Sequence, residues 1–137
     1  AGEPLSIRMK VVTGTKPGWE IPYERWAWRF DPARGGNGRI MLDYGSRTCA
    51  LALHLMGDVE KVLSWITYRT IQHGWTIDSP ALAMWKYRDA QKYGSFEVVS
   101  SDGMLIRSKY VPEDDWIEIT GSKGSSGSTA AARPAAG

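Results

Sequence analysis

The stretch GGNGRIMLDYGSRTCALALHLMG, residues 35–57, decides the fold of this chain. Glycines open the stretch, an apolar segment with helical spacing follows, and Gly57 stands where a glycine commonly follows the last residue of a helix. The spacing therefore predicts one main helix. We expect its buried stripe to contain the apolar residues that share one side of a helical wheel, namely Leu42, Cys49, Ala52, Leu53 and Met56.

Three polar residues share another side of the predicted helix. At 100° per residue, Arg47 lies about 40° from Asp43, and His54 returns to within about 20° of it. As a site, the line offers a carboxylate, a guanidinium and an imidazole to one polar molecule. As ordinary surface, Asp43 and Arg47 form an i,i+4 ion pair and His54 is a semi-exposed residue of the last turn. A kink at Gly45 would spoil the alignment.

Composition excludes several classes of protein. Lysine and arginine exceed aspartate and glutamate by 17 to 15, and no basic stripe appears, which argues against a nucleic-acid partner. The single cysteine, Cys49, excludes a disulfide framework and favours a reducing compartment. Two histidines and one cysteine, far apart in sequence, predict no metal site. No apolar run approaches the roughly 20 residues of a membrane span, so we expect a cytoplasmic protein.

The rest of the chain has mostly the two-residue period of strands. Residues 5–13 alternate cleanly, and residues 59–68 are partly apolar on both faces. Four further strands are predicted, at residues 81–87, 95–100, 104–110 and 116–120. Their turn-like links, with Asp102-Gly103 as the strongest hairpin signal, predict antiparallel neighbours in a meander.

These elements predict an α+β fold, in which an open, mostly antiparallel sheet carries one main helix on one face. Because the strands are apolar on both faces, we expect the other face to meet a second subunit, which makes the chain a homo-oligomer. The domain is expected to occupy residues 1–120. Residues 121–137, rich in Gly, Ser and Ala, are predicted to be a flexible tail.

Aromatic and arginine residues cluster at 23–30, which we interpret as a short strand or an ordered loop. One hypothesis makes Trp26, Trp28 and Arg29, together with Tyr44, a surface that stacks on a sugar. The other packs Trp26 and Trp28 over the core. His73, in a polar connection, has no partner at metal-ligand or catalytic spacing, so we interpret it as a loop residue.

Several motifs in order resemble the C-terminal domain of the Gfo/Idh/MocA oxidoreductases, a family that includes glucose-fructose oxidoreductase and inositol dehydrogenase. The similarity covers about residues 3–124. It rests on GGNG at 35–38, LDYGS at 42–46, HLMG at 54–57, VEKV at 59–62, IDSPA at 77–81, YGS at 93–95 and WIEITGSKG at 116–124.

The resemblance implies the second half of a two-domain enzyme. In that family an N-terminal Rossmann domain binds NAD(P) and supplies a catalytic lysine, and the C-terminal domain receives the substrate and mediates oligomerisation. This sequence has no G-x-G-x-x-G after a strand and no Glu-Lys-Pro segment, so we expect no cofactor bound by this chain alone. Asp43 matches the family's catalytic aspartate. Arg47 stands in place of the histidine, and a guanidinium, which stays protonated at neutral pH, cannot accept a proton.

Three functions are therefore weighed. The first is a truncated or stand-alone substrate-binding and oligomerisation domain of a sugar or polyol oxidoreductase, which does not transfer hydride by itself. The alternative is a small cofactor-free hydrolase or isomerase that uses the line of Asp43, Arg47 and His54. The third is a structural subunit that pairs with a separate dinucleotide-binding chain. Under the first, Arg47 is expected to hold an anionic or polyhydroxylated ligand.

Overall fold

A computed structural model of the chain describes residues 2–13, 23–36, 39–71, 74–89, 91–100 and 116–129. Three α-helices and a 3-10 turn fall in these ranges: α1 is Tyr23–Trp26, the turn is Ala27–Phe30, α2 is Pro32–Gly35 and α3 is Arg39–Met56. The strands are β1 Pro4–Thr13, β2 Val59–Thr70, β3 Thr76–Tyr87, β4 Tyr93–Ser100, β5 Trp116–Gly121 and β6 Gly124–Thr129.

The strands form one open sheet in the order β2-β3-β4-β1-β5-β6. All neighbouring pairs are antiparallel except β1 and β4, which run parallel. The predicted α+β class, with a mostly antiparallel sheet and one main helix, is confirmed. The predicted meander is wrong at one place, because β1 inserts between β4 and β5, so that each of these two strands pairs with β1.

The helix α3 packs on one face of the sheet, over β3, β4 and β1. Ile40, Ala52 and Met56 are buried there. A side chain at Gly45 would start 3.4 Å from the Phe96 ring, so this glycine permits close contact between the helix and β4. It does not interrupt α3, which runs unbroken over 18 residues.

The predicted buried stripe of α3 is wrong in two members. Leu42 is 62% exposed and Leu53 is 46% exposed, whereas Ala52 and Met56 are buried as expected. The close approach at Gly45 is the physical reason, because it turns the glycine side of the helix toward the sheet. A helical wheel weighted by hydrophobicity gives glycine no such role.

The sheet face under α3 holds the core. Ile7, Met9 and Val11 of β1 are buried, which confirms the alternation predicted for this strand, and Phe96 and Val98 of β4 are fully buried beside them. Trp85 of β3 lies across its partner Gly94 of β4 so closely that a Cβ at residue 94 would stand 2.4 Å from the indole ring.

Two predicted segments differ from the structure. Residues 23–30 are helical rather than a strand or a loop, and Trp28, at 52% exposure, does not pack in the core. Residues 121–129 are not a flexible tail, since β5 ends at Gly121 and β6 pairs with it along the edge of the sheet. The predicted strand 104–110, the turn at Asp102-Gly103 and His73 lie outside the described residues.

The described part of the chain contains no helix that is both long and apolar enough to span a membrane. In the same residues, no group of three or more His, Cys, Asp or Glu side chains is arranged to hold a metal ion.

Candidate functional site at the first turns of the main helix

The beginning of α3 is fixed to the sheet by Asp78, a fully buried residue of β3. One oxygen of its carboxylate accepts a hydrogen bond from the backbone N–H of Ile40 at 2.6 Å, and the other accepts from Met41 at 3.0 Å. Helix N-termini leave such N–H groups without partners and favour negative charge. A residue far away in sequence therefore caps the helix and sets the position of everything on its first turns.

The chain beside Asp78 is tied to its neighbouring strands. Arg69 of β2 donates from Nε to the carbonyl oxygen of Ser79 at 2.9 Å and from a second nitrogen to the carbonyl oxygen of Ser100. The backbone N–H of Ser100 donates to the Ser79 hydroxyl at 2.6 Å. These bonds join β2, β3 and β4 where β3 begins, so the capping carboxylate rests on a rigid support.

Asp43 forms an ion pair with Arg29 of the 3-10 turn. Both side chains are partly covered, with 38% of the Asp43 side chain and 25% of the Arg29 side chain exposed. The Arg29 guanidinium carbon lies 5.9 Å from the centre of the Trp28 ring, within the range of a cation–π contact. The structure thus brings together three of the predicted residues, two from the aromatic cluster and one from α3.

Arg47 does not pair with Asp43. Its guanidinium carbon lies over the ring of Tyr44, 5.6 Å from the centre, and the side chain is exposed. The predicted i,i+4 ion pair is therefore replaced by the pair between Asp43 and Arg29. We call Arg29, Asp43, Tyr44 and Arg47 the α3 site.

His54 lies on the same helix but far from the α3 site. The helix is unbroken, so the predicted polar line exists; at 1.5 Å per residue, however, His54 is about 16 Å along the axis from Asp43. It is exposed in the last turn. A cofactor-free enzyme of the kind weighed above would need the side chains of Asp43, Arg47 and His54 to contact the same ligand. This function stays a prediction.

Of the two tryptophans expected to stack on a ligand, Trp28 presents an exposed ring beside Arg29. The side chain of Trp26 lies outside the described part of the structure.

A pocket that the sequence did not indicate opens between α2 and the connection from β2 to β3. It encloses about 600 Å³ and is lined by Phe30, Pro32, Gly36, Tyr68, Gly74, Trp75 and Thr76. The rings of Phe30 and Trp75 stack in parallel, with centres 4.2 Å apart. The sequence indicated only that aromatic residues occur before and after α3. The stacking of Phe30 on Trp75 depends on the tertiary arrangement, which no local pattern specifies.

Cys49 is not set up as a nucleophile. It is half-buried on α3, and burial raises the pKa of its thiol. A raised pKa lowers the fraction of the reactive thiolate at neutral pH. This agrees with the interpretation of Cys49 as a packing residue.

Solved structures share this fold over nearly the whole chain. Levoglucosan dehydrogenase in complex with NADH and levoglucosan matches with a TM-score of 0.67 and 19% identity, and covers 93% of this chain and 33% of its own. GenD2 from gentamicin A biosynthesis, in complex with NAD, matches with a TM-score of 0.66 and 16% identity over 93% of this chain and 32% of its own.

An inositol dehydrogenase homolog from Azotobacter vinelandii, complexed with NAD+, matches with a TM-score of 0.66 and 17% identity over 92% of this chain and 31% of its own. The chain thus spans about a third of the length of these proteins. No curated protein sequence matches it.

At sequence level, the GFO/IDH/MocA C-terminal domain matches residues 1–126. The match includes β1, the whole of α3 and the start of β6, which the predicted domain boundary at residue 120 left out. This chain belongs to the family of GFO/IDH/MocA C-terminal domains.

Proposed function

We propose that this chain is the substrate-binding and oligomerisation domain of a sugar or polyol oxidoreductase, and that it binds its ligand at the α3 site. The observation that carries the proposal is the pair between Asp43 and Arg29, with the exposed Trp28 ring beside it. A carboxylate accepts hydrogen bonds from hydroxyl groups, a guanidinium donates to hydroxyl oxygens, and an aromatic ring covers the apolar face of a sugar. Family membership supports the same site, because Asp43 matches the family's catalytic aspartate.

The same residues support the proposal that this chain does not transfer hydride by itself. A general base must accept a proton from the ligand hydroxyl, and Arg47, the residue one turn beyond Asp43, has only donors. We further propose that NAD(P) does not bind to this chain alone. The cofactors named for its structural relatives belong to proteins about three times as long.

Isothermal titration with D-sorbitol, D-glucose and myo-inositol tests the site. We expect at least one of them to bind, and we expect Asp43→Asn to weaken that binding, since the variant removes the charge that accepts the hydroxyl hydrogen bonds. Asp58→Asn is the matched control, because Asp58 is an exposed aspartate that follows α3 at its other end. Binding that is equal in Asp43→Asn and wild type would overturn the assignment of the site.

The open sheet face supports the proposal of a homo-oligomer. Cross-strand register places Leu63 beside Met84 and Trp65 beside Leu82 on the face away from α3. Leu63, Trp65, Met84 and Tyr93 are each 44–58% exposed. Contiguous exposed apolar side chains of this kind mark interaction surfaces. We name this set, including Leu82, the apolar half of the open face.

The other half of the open face is charged and internally paired. Arg8 of β1 lies 3.9 Å from Glu118 of β5, and Lys10 lies 3.3 Å from Glu97 of β4. These residues already have partners within the chain. We therefore place the proposed subunit contact on the apolar half, where a second copy would remove side chains from water.

A further inference from the structure

We infer that the α3 site selects a sugar derivative that carries an anionic group over the neutral sugar. The inference rests on the proposed function and names the class of ligand for that same site. It follows from the balance of charge around Asp43, from the position of Arg47 and from the shape of its guanidinium.

The site holds two guanidinium groups and one carboxylate. Asp43 already forms an ion pair with Arg29, so the charges of these two groups offset each other. Within the described ranges, no carboxylate lies within 4 Å of the Arg47 guanidinium, whereas Arg29, the other arginine of the site, has an acidic partner. The positive charge of Arg47 is therefore uncompensated by the groups around it, and a ligand that brings a negative charge would offset it.

Arg47 is also held within reach of a ligand at Asp43. Residues four apart on a helix have Cβ atoms about 5–6 Å from each other. The guanidinium lies over the ring of Tyr44, a residue of the same helix, while the Arg47 side chain stays exposed to solvent. The Thr48 hydroxyl donates to the backbone carbonyl oxygen of Tyr44 at 2.7 Å, one turn further along the helix. A planar guanidinium presents two parallel donors that match a carboxylate or a phosphate.

A bound anionic sugar would thus contact two separate parts of the site. Its hydroxyl groups contact the pair of Asp43 and Arg29, and its anionic group contacts Arg47. The partly covered surroundings of Arg29 and Asp43 strengthen hydrogen bonds there relative to open water. The exposed position of Arg47 keeps the anionic end of the ligand near solvent, where desolvation of the charge costs little.

The test compares three ligands that share one ring. D-glucose is neutral, D-glucuronate carries a carboxylate, and D-glucose 6-phosphate carries a phosphate. Titration calorimetry at about 20 mM and 300 mM salt gives their dissociation constants. We expect at least one anionic sugar to bind about tenfold more tightly than glucose at low salt, the ratio expected for one charge-assisted hydrogen bond. The ratio should shrink at high salt, because the charge of Arg47 is exposed and is screened.

Three variants test whether Arg47 is the residue that causes the preference for the anionic sugar. Arg47→Ala should reduce the preference for the anionic sugar about tenfold, and Arg47→Lys should keep part of it, because it retains the charge and loses the planar pair of donors. Arg88→Ala is the matched control: Arg88 is an exposed arginine after β3 whose backbone bonds to Asp58, beyond the opposite end of α3. It should leave the preference unchanged.

The outcomes separate this inference from the proposed function. If glucose binds, Asp43→Asn weakens it and both anionic sugars bind no better than glucose, the inference is overturned and the proposed function stands. An anionic preference that persists in Arg47→Ala also overturns it. If none of the three sugars binds, both the inference and the site are overturned. A preference for glucuronate alone identifies a sugar acid, and a preference for the phosphate identifies a sugar phosphate.

Discussion

The two faces of the sheet both carry large apolar side chains but use them differently. On the face under α3, Trp85, Tyr87 and Phe96 are buried. On the open face, Leu63, Trp65 and Met84 remain about half exposed. The comparison teaches that alternation along a strand fixes which residues share a face, whereas only the position of the helix decides which face stabilises the monomer. Substitutions on the first face should change stability, and substitutions on the second should change association.

The largest effect is expected on the covered face, at Asp78. Asp78→Ala removes both acceptors from the backbone N–H groups of Ile40 and Met41 in a buried place. We expect the free energy of unfolding to fall by about 3 kcal/mol, since the lost bonds involve a charged group and leave buried donors without partners. Urea unfolding followed by circular dichroism measures the loss.

Asp78→Asn is the milder companion variant, because it keeps the shape and one acceptor oxygen. We expect it to lose about half as much stability. Asp58→Ala, an exposed aspartate, should stay within about 0.5 kcal/mol of wild type. An equally small change for Asp78→Ala would show that the cap contributes nothing to folding.

A second effect on the covered face is expected at Gly94. The Cβ of Gly94→Ala would stand 2.4 Å from two atoms of the Trp85 indole, which is buried and cannot simply move aside. We expect a loss of about 2 kcal/mol in urea unfolding, typical of overpacking. Combining it with Trp85→Phe should cost less than the sum of the two single changes, because the smaller ring makes room. Strict additivity would contradict the proposed clash.

The open face should respond in the opposite way. Met84→Glu places a charge in the apolar half and should change the free energy of unfolding by less than about 0.5 kcal/mol, because residue 84 is already 44% exposed. We expect the mass from light scattering to drop toward the 15.2 kDa of a single chain. Leu42→Glu, on the exposed side of α3, should leave the mass of the oligomer unchanged. A wild-type chain that is already monomeric would overturn the proposed assembly.

The smallest effect concerns Cys49, which is half-buried on α3. Burial raises the pKa of this thiol, so the folded state holds the proton to higher pH than the unfolded state does. Its contribution to stability is therefore complete below the ordinary thiol value of about 8.5 and is lost as the pH rises through the raised value. Alkylation by iodoacetamide, followed by mass spectrometry, should reach half its maximal rate above pH 8.5.

The chain has a single cysteine, so the alkylation signal has one source. Urea-unfolded protein is the control, and its half-maximal rate should lie near the ordinary value. Equal profiles for folded and unfolded protein would mean that Cys49 is not shielded.

Local patterns predicted most of the elements. The alternation of β1 and the helical spacing of α3 gave elements that match the structure within a few residues, and β4 and β5 were found almost complete. β3 was found only from residue 81, so its first part, residues 76–80 with Asp78, was missed. Hydrophobic periodicity is strong where one face of an element is buried. β6 was missed because an edge strand of Gly, Ser and Thr buries too little to leave a periodic signal.

The sequence did not predict contacts between residues that are far apart along the chain. Asp78 caps a helix by accepting from Ile40, 38 residues before it, and Arg29 takes the place that Arg47 was expected to have beside Asp43. Nothing local in either segment specifies these pairs, since they depend on how the 3-10 turn and β3 are brought to α3. For the candidate site, the residues named from the sequence stay a prediction, and the expected pairing of Asp43 with Arg47 is wrong, because Asp43 pairs with Arg29.

The insertion of β1 has a consequence for how the chain is made. Ile7 pairs with Gly94 on one side and with Ile119 on the other, so β1 joins two strands that are synthesised much later than β1 itself. β2, β3 and β4 form a connected antiparallel unit of local pairs, whereas β5 and β6, among the described strands, pair with that unit only through β1. Contacts between distant parts of a chain form slowly. β1 therefore stays without these partners until β4 and β5 have been translated, and during that time it is open to chaperones and to pairing with another chain.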